Sequence, residues 1–253
     1  MKTRAKFAAA LIFAALASAP PGAFAADLVI VSNQGAIPGL KELGAAFSAK
    51  TGNHVTVVLA EGDELEKRLA AGTVDLVSQN PGPLRELVKR GKVVAGTVTP
   101  FQLAELGVAV RTGAPKPDIR TPEAYRAALL AAKSIGYSFG CSGTNIAAGI
   151  AQLGLTDQLK ARTIRTTAGP VSGYVARGEV EIGIQQTNIM VGVPGNDYVG
   201  PVPAALNKPC ESDVGLVANS KASDAGRAMI QFMISPEAAP LIRKTHAEPA
   251  PRR

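Results

Sequence analysis

Short polar segments follow several apolar stretches of this chain, and their side chains could hold a small ligand by hydrogen bonds. They supply amides, hydroxyls and backbone N–H groups, and none of them contains lysine or arginine. The segments are Ser32–Gly35, Glu61–Asp63, Cys141–Asn145, Gly169–Val171 and Gln185–Asn188. Amides and hydroxyls can bind a carboxylate, an oxyanion or a neutral polar solute. The chemistry that these residues favour is therefore binding of a small polar or anionic solute.

The candidate ligand contacts are the residues of these segments with polar side chains or accessible backbone N–H groups. They are Asn33, Gln34, Gly35, Gly62, Ser142, Gly143, Thr144, Asn145, Pro170, Val171, Gln185, Gln186 and Thr187. The alternative for each residue is that its side chain satisfies backbone groups of its own turn or helix end. Aromatic residues are scarce and there is no Trp, which disfavours sugars and quaternary amines because these ligands need aromatic rings.

The elements that must position these segments alternate between buried strands and amphipathic helices. Leu28–Val31 predicts a strand, and Ile37, Leu40, Leu43 and Phe47 share one face of the helix that follows. Repetition of this pattern predicts an α/β fold with mainly parallel sheets flanked by helices. In such folds, ligands bind where the carboxyl ends of strands meet the beginnings of helices.

The beginning of the 253-residue chain resembles an export signal. Lys2, Arg4 and Lys6 precede the apolar run Phe7–Ala17, and the small-residue motif Ala23–Ala25 follows. We expect cleavage after Ala25 and a periplasmic protein; a disordered or membrane-anchored N-terminus is the alternative. Three of the basic residues behind the net charge of +7 lie in this segment. The mild positive excess that remains forms no basic stripe interleaved with aromatic residues, so nucleic-acid binding is not expected.

The two cysteines, Cys141 and Cys210, would enter an oxidising compartment. A disulfide between them is the expected outcome. The alternative is two free thiols, with Cys141 activated as a nucleophile by the helix that begins beside it. His54 and His246 are the only histidines and lie far from both cysteines in the sequence. We therefore expect no metal site and no cofactor.

Several local motifs occur in a characteristic order along the chain. They are Leu65–Gly72 followed by Val74–Val77, Gly143 ahead of a helix that ends at Leu153 and Gly154, Val175–Glu179 with Glu181–Ile184, and Ser235–Ala239. In this order the chain resembles the family of the molybdate-binding protein, whose members are periplasmic solute-binding proteins of ABC transporters. The resemblance implies a type II periplasmic-binding-protein fold, in which two lobes joined by two crossings close around the ligand.

The resemblance also implies the division of the chain. After a signal peptide at 1–25, one lobe would comprise residues 26–107 plus 217–253, and the other would comprise 108–216. The crossings would lie near Gly107–Val110 and Val214–Val217. The protein would act as a monomer that delivers its small-molecule ligand, an oxyanion or a small carboxylate, to an ABC transporter permease, with no catalysis.

The chain departs from the molybdate-binding pattern in three of its polar turns. Gly35 replaces a ligand-binding serine, Glu61–Asp63 replaces serines, and Gln186 replaces a tyrosine. Either Glu61 and Asp63 cap the following helix, or the ligand is not molybdate, because like charges about 4 Å apart repel by several kcal/mol. We predict a solute-binding protein that is not an enzyme. The alternatives are an exported enzyme with Cys141 as nucleophile and a ligand-binding sensor that is not coupled to transport.

Overall fold

The computed structural model describes residues 25–166 and 169–251. Residues 1–24 of the predicted signal peptide lie outside the described residues. Within the two described ranges, no helix has both the length and the hydropathy that a membrane span requires.

Strands and helices alternate along most of the chain, as the hydrophobic pattern predicts. The strands are β1 (Asp27–Ser32), β2 (His54–Leu59), β3 (Leu76–Gln79), β4 (Thr99–Ala104), β5 (Leu106–Arg111), β6 (Ile135–Ser138), β7 (Thr163–Thr166), β8 (Ile182–Gln186), β9 (Asn196–Pro201), β10 (Cys210–Leu216) and β11 (Glu248–Pro249). The α-helices are α1 (Ile37–Thr51), α2 (Gly62–Ala70), α3 (Pro81–Lys89), α4 (Pro122–Ala131), α5 (Gly140–Gln152), α6 (Thr156–Lys160), α7 (Val171–Ala176), α8 (Ser223–Met233) and α9 (Ala238–Lys244). Short 3-10 helices cover Gln34–Ala36, Ala95–Thr97 and Thr187–Ile189.

The strands form two sheets that each combine parallel and antiparallel neighbours. The first sheet has the order β11-β4-β10-β3-β1-β2, and the second has the order β7-β6-β8-β5-β9. Parallel pairing joins β1 to β2 and β3, and it joins β6 to β7 and β8. The remaining pairs are antiparallel. This arrangement confirms the predicted α/β fold with two helix-flanked sheets. The expectation of mainly parallel sheets is wrong, because β4, β5, β9, β10 and β11 form only antiparallel pairs.

The chain passes between the sheets twice. It leaves the first sheet after Ala104 at the end of β4 and returns before Cys210 at the start of β10. The predicted second crossing at Val214–Val217 therefore differs from the structure, because Val214 pairs with Ser78 inside the first sheet. The predicted first crossing at Gly107–Val110 differs too, because these residues pair with β8 and β9 inside the second sheet. Both crossings are what the family resemblance implies, and strand pairing moves them to the segments before β5 and before β10.

Helices cover both faces of each sheet. Leu40, Leu43 and Phe47 of α1 are buried against the first sheet together with α8 and α9, since their spacing places them on one helix face. α2 and α3 cover its other face. A separate cluster packs α4, α5 and α6 on the second sheet, and α7 covers the opposite side. Each sheet therefore has its own hydrophobic core.

Candidate ligand-binding site

A cavity of about 340 Å³, called the cleft below, lies where the parallel strands of the two sheets end. Residues after β1, β2 and β3 line one side, and residues at the ends of β6, β7 and β8 line the other. The lining residues are Asn33, Gln34, Gly35, Leu59, Glu61, Asn80, Ser138, Phe139, Gly140, Cys141, Ser142, Thr166, Gly169, Gln185, Gln186 and Ile189. A ligand in the cleft would contact both sheets.

Three helices begin at the cleft without a side-chain cap. Glu61, Asn80 and Phe139 precede α2, α3 and α5, and none of them makes a side-chain capping hydrogen bond. The first N–H groups of a helix have no partner within the helix and carry partial positive charge. The cleft therefore attracts an anion, although none of the described residues that line it is lysine or arginine.

Hydroxyl groups lie on the wall beside the start of α5. The parallel pairing of β6 and β7 places Ser138 next to Thr166. The Ser138 and Ser142 hydroxyls are 3.3 Å apart. Thr166 Oγ1 is buried and has no hydrogen-bond partner among the described residues. A hydroxyl without a protein partner can donate to a bound anion.

Amide side chains line the opposite wall and the base of the cleft. Asn33 Nδ2 donates to Asn80 Oδ1 over 3.1 Å, and Asn80 Nδ2 donates to the carbonyl oxygen of Glu211. These bonds hold Asn33 in place. Gln185 Oε1 accepts a hydrogen bond from the backbone N–H of Val171, which leaves the Gln185 NH₂ group to donate to a ligand.

Gly35 lies where the two halves of the protein meet below the cleft. Its carbonyl oxygen accepts hydrogen bonds from Gln102 of β4 and from Asn188, which follows β8. A Cβ atom at this position would overlap with the amide group of Gln186. Glycine at position 35 therefore leaves room for the amide group of Gln186. The molybdate-binding pattern has a serine at this position.

Glu61 is the one charged residue among the described residues of the cleft lining. Its side chain makes no capping bond to α2, so the capping role considered for it is wrong. Burial raises the pKa of its carboxyl group above 4.5. Asp63 lies in the first turn of α2, is exposed and does not line the cleft.

The raised pKa of Glu61 makes anion binding depend on pH. Glu61 loses its proton as the pH rises through its pKa, which lies above 4.5. The carboxylate then repels an anion, so we expect anion affinity to fall with rising pH and binding to be coupled to proton uptake. Calorimetric titration of wild type and Glu61→Gln across this range measures the effect. A parallel pH dependence in both proteins would contradict this prediction.

Some of the predicted contact residues line the cleft in the structure, and others lie outside its lining. Asn33, Gln34, Gly35, Ser142, Gln185 and Gln186 line the cleft, whereas Gly62, Gly143, Thr144, Asn145, Pro170, Val171 and Thr187 do not. Thr144 Oγ1 donates to the carbonyl oxygen of Gly140, and Thr187 Oγ1 lies 3.5 Å from the Tyr198 hydroxyl. Asn145 donates to the carbonyl oxygen of Lys208. The side chains of Thr144 and Asn145 therefore hold backbone carbonyl groups, and that of Thr187 contacts another side chain.

A disulfide joins Cys141 and Cys210, as predicted. It attaches the first turn of α5 to the start of β10, and so connects the second half of the protein to the first sheet. The alternative of Cys141 as a catalytic nucleophile is wrong, because both sulfur atoms are used in this bond.

Gly143 lies near the start of α5 and packs closely against the carbonyl group of Ser138. A Cβ atom here would overlap with the carbonyl oxygen of Ser138. We expect Gly143→Ala to displace the start of α5, to lower the free energy of unfolding by about 1–3 kcal/mol and to weaken ligand binding. Gly149→Ala in the same helix is the control, since a Cβ there would come no closer than 3.6 Å to another atom. Denaturant unfolding and titration of both variants test this, and equal behaviour of the two would contradict it.

Some lining residues were not identified from the sequence. Ser138 is the last residue of β6 and Thr166 is the last residue of β7. Neither residue belongs to one of the polar segments that the sequence analysis selected. Leu59 is an exposed large hydrophobic residue in the structure, whereas its place at the end of an apolar strand resembles that of a core residue. The positions of these residues beside the cleft depend on strand pairing, which the sequence does not display.

Comparison with known proteins identifies similar chains. The family model described as bacterial extracellular solute-binding protein matches residues 28–247. The periplasmic molybdate-binding protein of Azotobacter vinelandii has a TM-score of 0.72 at 18% identity, covering 89% of this chain and 100% of that chain. The sulfate-binding protein of Mycobacterium tuberculosis has a TM-score of 0.67 at 21% identity, covering 89% of this chain and 87% of that chain.

A curated relative corrects one prediction. A protein named aconitate isomerase, from a Pseudomonas species, is 32% identical over an alignment of 233 residues that covers 88% of this chain and 88% of that chain. The prediction that the chain is not an enzyme is therefore wrong, because a relative of this similarity over nearly the whole chain is an enzyme. The family match over residues 28–247 confirms the predicted solute-binding role. The chain belongs to the bacterial extracellular solute-binding protein family.

Proposed function

We propose that the protein captures a small organic acid in the cleft, holding a carboxylate group of this ligand at the start of α5. The observation that carries this proposal is that three uncapped helices begin at one cavity lined by hydroxyls and amides. Preorganised N–H groups and hydroxyls bind a carboxylate without a countercharge from lysine or arginine.

The dimensions and the lining of the cleft favour an organic acid over a tetrahedral oxyanion. A volume of about 340 Å³ falls in the range of pockets for organic ligands. Leu59, Phe139 and Ile189 offer apolar surface to a carbon skeleton. Glu61 would repel an oxyanion that carries charge on every side, whereas an organic acid can direct its carboxylate to α5 and its carbon atoms toward Glu61.

The transport role follows from the family. After export to the periplasm and removal of residues 1–25, the protein would act as a monomer. Its two halves would close on the ligand, and the closed form would deliver it to the permease of an ABC importer. Residues 26–107 plus 217–253 and residues 108–216 are the predicted lobes. In our proposal β10 belongs to the first lobe, since it pairs with β3 and β4 of the first sheet.

A thermal-shift screen tests the ligand class. The panel contains acetate, succinate, citrate and trans-aconitate, with molybdate, tungstate and sulfate as tetrahedral oxyanions. We expect one or more carboxylates to stabilise the protein, by about 2.7 kcal/mol at 100 times the dissociation constant. Stabilisation by the tetrahedral oxyanions alone would contradict the proposal.

A second candidate function is isomerisation of an unsaturated carboxylic acid by proton transfer. The observation that favours it is the position of Glu61, a carboxyl group with a raised pKa inside the cleft. The relative named aconitate isomerase supports it. A raised pKa makes a carboxylate a stronger base, which suits a group that must take up and return a proton.

The proton balance of such a step is simple. The Glu61 carboxylate would remove a proton from a CH₂ group next to both a carboxylate and a C=C bond. The electron pair of the broken C–H bond would spread over the three-carbon unit and the attached carboxylate, which the start of α5 stabilises. Glu61 would return the proton to the far carbon, so that the double bond moves without an oxidant or reductant. Incubation with cis-aconitate in D₂O, followed by NMR, tests for conversion and for deuterium in the product.

A further inference from the structure

An arginine that belongs to no predicted segment lies beside the cleft. Arg165 precedes the lining residue Thr166 on the edge strand β7 and pairs in register with Tyr137 of β6. Its guanidinium carbon is 4.6 Å from the centre of the Tyr137 ring and 4.3 Å from that of the Phe139 ring. Two rings therefore hold a cation next to a cleft whose lining has no cation of its own.

The contacts of Arg165 place its guanidinium group at the rim of the cleft. Nη2 donates to the carbonyl oxygen of Ser138 over 3.1 Å. Ser138 and Phe139 both line the cleft, and α5 begins directly after them. The guanidinium therefore lies next to the same uncapped helix start that the proposed function assigns to the first carboxylate of the ligand.

Arg165 keeps most of its hydrogen-bonding capacity. A guanidinium has five N–H donors, and one of them is used by Ser138. No carboxylate in the described part of the chain forms an ion pair with it. By contrast, Arg177, which stacks on Tyr174 in a similar way, forms an ion pair with Glu179. Among the described residues, Arg165 is therefore a cation held over two rings, and most of its donors have no protein partner.

We propose that Arg165 binds a second carboxylate group of the ligand and makes the cleft selective for di- and tricarboxylates. This inference rests on the proposed function, because it requires the first carboxylate to lie at the start of α5. The planar fork of a guanidinium matches a carboxylate with two parallel hydrogen bonds. Stacking on Tyr137 and Phe139 fixes the plane of this fork, so little side-chain freedom is lost when the ligand binds.

Calorimetry with trans-aconitate, fumarate and crotonate, which carry three, two and one carboxylate groups, tests the inference. We expect Arg165→Gln to weaken binding of trans-aconitate and fumarate by on the order of tenfold and to leave crotonate binding within about twofold. Arg165→Lys should retain part of the affinity, since it keeps the charge without the fork. Arg177→Gln is the matched control, because it removes an arginine that lies over a ring but whose partners, Tyr174 and Glu179, do not line the cleft.

Ionic strength separates charge recognition from a structural role of Arg165. In 1 M NaCl, where charges are strongly screened, the affinities of wild type and Arg165→Gln for trans-aconitate should converge. An equal loss for all three acids, or a loss that salt does not reduce, would show that Arg165 only supports the backbone and would overturn the inference. A wild-type protein that binds none of the three acids would refute the proposed function as well. Strong binding by the wild type with no loss in Arg165→Gln would refute this inference alone.

Discussion

Glu61→Gln is expected to slow hydrogen exchange between a bound unsaturated acid and the solvent by a factor of about 10²–10⁴. Glutamine has nearly the same shape as glutamic acid but cannot accept a proton from carbon. The measurement is deuterium incorporation into aconitate in D₂O, followed by NMR for wild type and variant. The variant should still bind the acid, since removal of a negative charge from the cleft does not weaken anion binding.

Asp63→Asn is the matched control for this experiment. Asp63 is an acidic residue two positions further along, but it lies outside the cleft lining, whereas Glu61 is part of it. Its variant should exchange hydrogen at the wild-type rate. Wild-type exchange and conversion in Glu61→Gln would exclude Glu61 as the base, and absence of both exchange and isomerisation in the wild type would exclude the isomerase candidate for this substrate.

Removal of the disulfide is expected to have the largest effect on stability. Cys141 and Cys210 are separated by 69 positions in the sequence, and closing a loop of this length stabilises a fold by about 4 kcal/mol in the chain-entropy model. For a chain of this size, the Cys141→Ser, Cys210→Ser double variant should melt about 10 °C lower. Ligand affinity should fall too, because the bond holds the first turn of α5 at the cleft.

Thermal unfolding and titration of the double variant measure both effects. Thr144→Ala is the control in the same turn of α5, since it removes only an exposed hydrogen bond to Gly140. We expect the control to change the free energy of unfolding by less than about 1.5 kcal/mol. If the double variant kept both its melting temperature and its affinity, the disulfide would not shape the cleft.

The sequence predicts elements whose signals are local. Leu28–Val31 lies in β1, and Thr121 caps α4 as its position before Pro122 indicates, with Oγ1 accepting a hydrogen bond from the Ala124 N–H over 3.1 Å. The antiparallel strands β4 and β9 are different. Both contain proline and lack a long apolar run, and they are strands because β10, β5 and β11 pair with them.

The candidate site is predictable only in part for a similar reason. The polar segments after β1 and at the end of β8 are recognisable from their composition. Their residues 33–35 and 185–186 line the cleft. Arg165 and Thr166 are not recognisable in this way, because a short edge strand carries them and only its pairing with β6 brings them beside Ser138. The position of Glu61 in the cleft lining depends on the absence of a capping bond to α2, which the sequence does not display.

The hydrogen bonds to the Gly35 carbonyl bear on how long a captured molecule stays inside. Gln102 comes from the first sheet, and Asn188 comes from the second half of the protein, so the shared oxygen bridges the halves. Any widening of the entrance that separates the halves here must break the bond to Asn188, at a net cost of about 1 kcal/mol. The wide form is then roughly fivefold rarer than it would be without this bond. Escape of the guest slows in proportion, which extends its residence time without any additional contact to the guest itself.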